Sequence, residues 1–259
     1  MDTTNRAVAI GILSGSLVWP ALARADFKVW LPDVNFGELA VESVGDLGFD
    51  PNPAKSGEFS STFEIEYGAT RWWQTELELE FNRAPGRNQA TYFSQVTSEN
   101  LFQFTERGEY WLDLGFFAEY GHALQRGNPD EVTLGPVLRK DFLGTSNTIN
   151  LFVEKGFGQG APTGTTFLYA WETRVDAWTL HIGRRFAVEP GFQFYGEPGQ
   201  FGRFAKWGAQ DQRVGPQLFG KVFDIGPGTL EWNGGLLFGL TSAVPRTTLR
   251  WQAEYEIHF

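Results

Sequence analysis

Glu76, Glu78 and Glu80 stand at alternate positions in the stretch QTELELEF. On a β-strand alternate residues share one face, roughly 7 Å apart. Three like charges so placed need facing cations or water around them. Either Arg and Lys from neighbouring strands pair with them, or they line an open, acidic, cation-favouring passage. The same alternation assigns Glu64, Glu66, Asp113, Glu119, Glu154, Glu172, Glu231, Glu254 and Glu256 to one polar face, with Arg139, Arg174, Arg213, Lys221 and Arg250. Such charges around a lumen form a lattice of ion pairs that stiffens and narrows it, or a constriction that selects what passes. Trp72, Trp111, Phe117, Phe152, Tyr195 and Phe219 fall on that face too. They are either packing for a small interior or a stacking path for apolar and aromatic solutes.

Other chemistry finds little support. The chain has no cysteine, so thiol nucleophiles, thiolate metal sites and disulfides are excluded. It shows neither a Gly-rich phosphate loop nor a metal-ligand motif, and no cofactor is expected. A net charge of −10 argues against a nucleic-acid partner, which needs clustered Lys and Arg. The histidines are His122, His181 and His258. His122 lies near Glu119 with no serine close in sequence, so a hydrolase of the Ser-His kind is the least favoured reading and no enzyme activity is expected.

The elements that must carry the polar face are strands. STFEIEY, QTELELEF, YWLDLGFFAEY, TLEWNGGLLFGL and the final LRWQAEYEIHF alternate apolar and polar residues with period two, the mark of half-buried β-strands. Turn signals rich in Gly, Pro and charge separate them. Twelve strands are predicted, at 36–48, 58–68, 72–81, 91–104, 110–121, 131–141, 147–158, 165–176, 186–196, 212–223, 229–240 and 247–259. The stretch VDAWTLHIGRRFAVEP is the least clear, because no clean turn divides it. Pro136, Pro190 and Pro216 lie within strand patterns, and a proline there marks a bulge, an end or a ladder break. It serves either wall curvature or a lateral gap.

An even strand count, short turns on one side and longer loops on the other describe a transmembrane antiparallel up-and-down β-barrel. Mean hydropathy is −0.26, yet 16% of residues are aromatic, as a wall greasy on one face requires. In hydrocarbon every backbone polar group must find an internal partner, so the apolar face turns to lipid and the ionic face inward. Tyr110, Tyr120, Trp251 and Phe259 at strand ends suit an interfacial aromatic girdle. A secreted sandwich with the opposite assignment is the alternative. Residues 1–25 read as a secretory signal peptide: Arg6, then AVAIGILSGSLVW, then the small-x-small site Ala23-Arg24-Ala25. Residues 26–259 form the barrel, with 26–35 either periplasmic or lumenal.

The final strand resembles the C-terminal signal of bacterial outer-membrane proteins, with Trp251, Tyr255 and Ile257 leading to a terminal Phe259. That likeness implies outer-membrane lipid and the barrel-assembly machinery as partners. FEIEYGATRWWQTELELE, FQFTERGEYWLDLGFFAEY, VTLGPVLRKDF and AVEPGFQFYGE resemble the outer-membrane channel family labelled MetA-pathway phenol-degradation transporters. This resemblance implies a monomeric barrel passing small, often hydrophobic or aromatic, permeants. It carries over no catalytic residue. A narrow or closed structural barrel whose outer loops bind a ligand or partner remains the alternative.

Overall fold

A computed structural model describes residues 27–259; the expected leader at 1–25, and Asp26, lie outside the described residues. The strands are β1 (Glu38–Phe49), β2 (Phe59–Gly68), β3 (Trp73–Arg83), β4 (Tyr92–Gln103), β5 (Asp113–Ala123), β6 (Asp130–Phe142), β7 (Thr145–Phe157), β8 (Thr166–Arg174), β9 (Leu180–Ile182), β10 (Phe186–Gln200), β11 (Arg203–Phe204), β12 (Asp211–Ile225), β13 (Gly228–Gly239) and β14 (Thr247–His258). All the pairings are antiparallel. β14 returns to β1, from Glu38 opposite His258 to Phe49 opposite Thr247, and β8 meets β10. The sheet is therefore a closed, twelve-stranded barrel, because β9 and β11 are short additions.

Two departures from the sequence reading have a local cause. The strand expected at 165–176 is present as β8, but an unexpected short strand follows it. β8 ends at Arg174, a 3-10 turn follows at Asp176–Trp178, and β9 then rejoins the same edge of β10. The break falls opposite Pro190, which has no N–H to donate; only the Val175 N–H reaches the Pro190 carbonyl, at 2.9 Å. At Gly135-Pro136 and Gly215-Pro216 the ladder skips a pair on one side, yet the register continues unchanged from Leu134↔Val153 to Val137↔Asn150 and from Val214↔Phe238 to Gln217↔Gly235. A Cβ on Gly135 or Gly215 would overlap the carbonyl of Leu151 or Leu236. The strands are thus closely apposed at both points, and of the two alternatives for these prolines the lateral gap is not formed there.

The two faces separate by chemistry. Val41, Phe63, Ile65, Leu77, Leu79, Leu134, Ile149, Leu218, Leu236 and Leu249 are exposed around the outside. Glu42, Glu64, Glu76, Thr97, Asn150, Gln193, Arg213 and Arg250 are buried inside. An exposed apolar belt around a polar interior suits a wall immersed in hydrocarbon. The wall strands run from 9 residues in β8 to 15 in β10 and β12, enough for a tilted crossing. Leu143-Gly144 joins β6 to β7 in two residues, with φ of +50° and +76°, as a two-residue hairpin loop requires.

On the outer face two tryptophans lie across glycines of the next strand. A Cβ on Gly45 would overlap the Trp251 ring, and one on Gly220 the Trp232 ring. Gly45→Val and Gly220→Val are each expected to destabilise the folded barrel by about 1–3 kcal/mol through overpacking. Strand propensity alone gives the opposite sign. Urea unfolding in lipid vesicles decides between them.

Candidate functional site

The lumen is occupied by the chain's own N-terminal segment. Residues 27–36 form no ladder with the wall. They enter at the rim that carries the C-terminus, where the Gly37 N–H donates to the Gly68 carbonyl at 2.9 Å. A side chain at Gly68 would strike the Asn35 backbone, and one at Gly115 would crowd Pro32, so both glycines make room for this strap. Its side chains alternate. Phe27 and Val29 meet Ala170, Tyr195 and Leu237 on one side of the wall. Lys28 and Trp30 face the other.

Lys28 is the electrostatic centre. Its ammonium lies 2.8 Å from Glu42, 2.9 Å from Glu76, and in direct contact with Glu64. All four groups are buried. An ammonium carries three donor hydrogens, and β1, β2 and β3 each supply one carboxylate. Gln74 donates to Glu76 at 2.9 Å and Thr62 to Glu64 at 2.7 Å, which holds the cage in place. A buried charge is tolerable only when it is paired and hydrogen-bonded, and this one is both.

Trp30 sits among Leu101, Phe117, Val137 and Phe152. Its ring centroid is 4.4 Å from Phe117 and 5.5 Å from Phe152, which stack on each other at 5.0 Å. The indole N–H donates to Glu99 at 3.1 Å. Asn150 clamps the Trp30 backbone from both directions: its Oδ1 accepts from the N–H and its Nδ2 donates to the carbonyl, each at 2.9 Å. Lower down, Arg139 binds the Asp33 carboxylate with both terminal nitrogens, Nη2 to Oδ1 at 2.9 Å, and keeps Asp113 3.5 Å from its Nε. Gln103 accepts from the Val34 N–H at 2.8 Å. At the inner end Tyr195 and Arg250 donate to the Phe27 carbonyl at 2.9 and 2.6 Å, and the Arg213 guanidinium lies 4.6 Å from the Phe27 ring.

The remaining predicted charges distribute around this strap. Glu80 accepts from Asn82 at 2.8 Å, and Glu78 and Glu154 are buried beside other wall residues. Glu119 accepts from Thr133 at 3.4 Å. Glu172 takes Arg174 and Gln193, both at 2.6 Å, and Arg174 covers the buried Phe219 ring at 4.4 Å. Arg213 also pairs with Asp211 and Glu58, and Lys221 with Glu231. Glu66, Glu231, Glu254 and Glu256 line a cavity of about 720 Å³, bordered by the turns of the rim where the strap enters. There Glu38, Glu66 and Glu254 bring one oxygen each within 4.8 Å, a hard-cation donor set by chemistry, though acidic clusters in wet cavities need no metal.

Two assignments require correction. Trp72 and Trp111 were expected to line the lumen. They lie in the turns before β3 and β5 and are 56% and 78% exposed. Trp72 stacks with Phe102 at 6.2 Å, and Lys140 lies 5.6 Å from the Trp111 ring. Alternation was extended past the strand ends into turns, where it no longer governs direction. Phe117, Phe152, Tyr195 and Phe219 are inside, gathered against the strap or under an arginine. Of the last strand, Trp251 packs outside near Phe59 at 6.2 Å, the Tyr255 hydroxyl donates to Ile225 at 2.6 Å, Ile257 pairs with Leu39, and Phe259 is exposed. His122 faces outward, 3.0 Å from Asp130, whose other oxygen accepts from Tyr120 at 2.8 Å. Its partner is an acid, itself shared with a phenol, rather than a serine.

Sequence reasoning missed Lys28, Trp30, Asp33, Glu42 and Glu99. The first three lie within 26–35, the segment read as either periplasmic or lumenal. Their signal was local all the same: FKVW alternates apolar and polar-ended side chains, as an extended segment with partners on both sides should.

No family model matches the chain, and no curated protein does. Among solved structures, the NanC porin aligns at 8% identity over 85% of this chain and all of its own, with a TM-score of 0.52. The translocator domain of the autotransporter NalP from Neisseria meningitidis aligns at 9% identity over 91% of each chain, with a TM-score of 0.53. At such identities the likeness is one of fold, and this chain has the fold of an outer-membrane β-barrel. The two proteins carry different functions on that fold, so function must be argued from the lumen.

Removing the Lys28 ammonium leaves three buried carboxylates facing one another. Breaking a buried charge cluster in this way typically costs about 3–5 kcal/mol, and Lys28→Met is expected to loosen the strap. Because the chain has no cysteine, Val29→Cys reports directly. Its thiol should react slowly with a water-soluble maleimide in the parent and at least tenfold faster when Lys28→Met is added. Equal rates would mean that the cage does not hold the strap.

Proposed function

We propose that this chain is an outer-membrane channel for small solutes whose passage is governed by the lumenal strap. One observation carries the reading: the material that fills the lumen is the chain's own residues 27–36, held by side-chain contacts and not woven into the sheet. A structural barrel has no need of an interior filled by a separable segment. Contacts of this kind can be released without breaking a wall hydrogen bond. The 720 Å³ cavity behind the strap is large enough for a small organic molecule.

Residues 1–25 direct export and are removed, so that the strap enters from the periplasmic rim. The C-terminal strand, ending at Phe259, is read by the barrel-assembly machinery, and the barrel works as a monomer in lipid. Rings at Phe117, Phe152, Tyr195 and Phe219 favour apolar or aromatic permeants, in keeping with the likeness to phenol-degradation transporters. The charges do both jobs weighed for them: Arg139, Arg174 and Arg213 brace the lumen, and the acidic vestibule biases entry. No catalytic step is included, because His122 lies on the outer face.

Planar-bilayer recordings test this. The mature chain should show small or rare openings, and a variant lacking 27–36 should conduct at least threefold more. Silence from both, in protein shown to be folded, would favour a closed structural barrel. Equal conductance would remove the strap from the gating role.

A further inference from the structure

The strap does more than obstruct: it displays the chemistry that the lumen recognises. We propose that the wall residues around Lys28 and Trp30 form a binding site for arylalkyl ammonium ions, molecules with a protonated amine a short tether away from an aromatic ring. This rests on the channel reading and names the solute class for it.

Without the strap, the wall presents two adjoining pockets. One pocket is anionic. Glu42, Glu64 and Glu76, from three consecutive strands, converge on a single ammonium. The other is apolar and aromatic. Leu101, Phe117 and Phe152 enclose one indole ring, with Glu99 placed to accept a hydrogen bond from its edge. The two pockets adjoin, since the Lys28 ammonium lies 5.6 Å from the centroid of the Trp30 ring. That separation is close to the span of an extended two-carbon tether between amine and ring. One small molecule could therefore satisfy both pockets, as two residues of the strap do now.

An independent feature gives access. The vestibule reaches Lys28, Trp30, Glu42, Glu76 and Leu101 directly, so both pockets open onto it rather than lying sealed in the wall. Its lining holds eleven carboxylates against five Lys and Arg, with Glu38, Glu66 and Glu254 grouped together, and a cavity with an excess of one sign concentrates ions of the other. A carboxylate-bearing ring would meet the repulsion of Glu42, Glu64 and Glu76 at the end of the route. A neutral aromatic would fill the ring pocket and leave three buried carboxylates without a cation, the costly arrangement. A simple alkylamine would leave the rings unfilled. The ammonium and the ring together are what the site selects.

Isothermal titration in detergent tests the site apart from conduction. The probes are 2-phenylethylamine, butylamine, 2-phenylethanol and phenylacetate. Two proteins are used, the variant lacking 27–36 and the full mature chain carrying Lys28→Ala with Trp30→Ala, so that a folding failure of the first leaves the second. Phenylethylamine should bind at least tenfold more tightly than butylamine or phenylethanol, and phenylacetate should not bind. Adding Glu64→Gln and Glu76→Gln should weaken phenylethylamine at least tenfold. Phenylacetate or phenylethanol binding equally well, or no binding of any probe to either protein, would overturn the proposal. The channel reading fails separately: a strapless barrel that binds the amine but stays silent in bilayers sinks conduction and leaves the site. One that conducts without amine preference does the reverse.

Discussion

A β-sheet whose outer face is apolar has no tolerance for an unpaired edge, and that constraint organises this molecule. Each orphaned N–H or C=O would cost several kcal/mol, so the first long strand must find the last. β1 and β14 meet along their whole length. Closure then dictates the rest. Strand alternation sends every second side chain outward, where only apolar groups are comfortable, and every other one into an enclosed space. The ionic residues of a polar chain have nowhere else to go. They crowd the lumen, and the lumen must then solve their electrostatics.

It solves them in two ways. Around β5 to β12, arginines on one strand meet carboxylates on the same or the next, as Arg139 meets Asp113 and Arg174 meets Glu172. Across β1, β2 and β3 the wall is acidic, with Glu42, Glu64 and Glu76 together, and these three strands face them with no cation of their own there. Lys28, brought in from outside the sheet, supplies it. The strap is thereby coupled to the wall by charge at Lys28 and Asp33 and by ring packing at Trp30. Only the first of these depends strongly on what else is present in the lumen. A competitor that brings both a cation and a ring meets the strap on its own terms.

The turns show where alternation stops being informative. Trp72 and Trp111 have lumenal parity by position, yet they stand outside the strands and turn their rings to the surface. Beyond a strand end no ladder constrains direction, and an amphipathic ring goes where one side is apolar and the other wet. Pro190 has a similar lesson. Its position in a strand pattern was visible, but that the opposite strand would detach at Val175 and return as β9 depends on which residue faces the missing N–H.

Period-two patterning, turn chemistry and the aromatic final strand were enough for a closed antiparallel barrel of twelve strands, with most boundaries within about three residues and the inward set within the strands, because side-chain direction in a strand is a local property. The lumen's occupant was not legible. Residues 26–35 were equally compatible with the periplasm and the interior, since nothing in their own order shows which carboxylates will lie across from Lys28. Glu42, Glu64 and Glu76 belong to three strands and become a single cage only when the sheet curls. Glu99 and Asn150 become partners of Trp30 only when a segment with no ladder of its own passes between them. Local periodicity determined the wall; the strap's place in it was decided by contacts between residues up to 223 positions apart, which exist only in the closed structure.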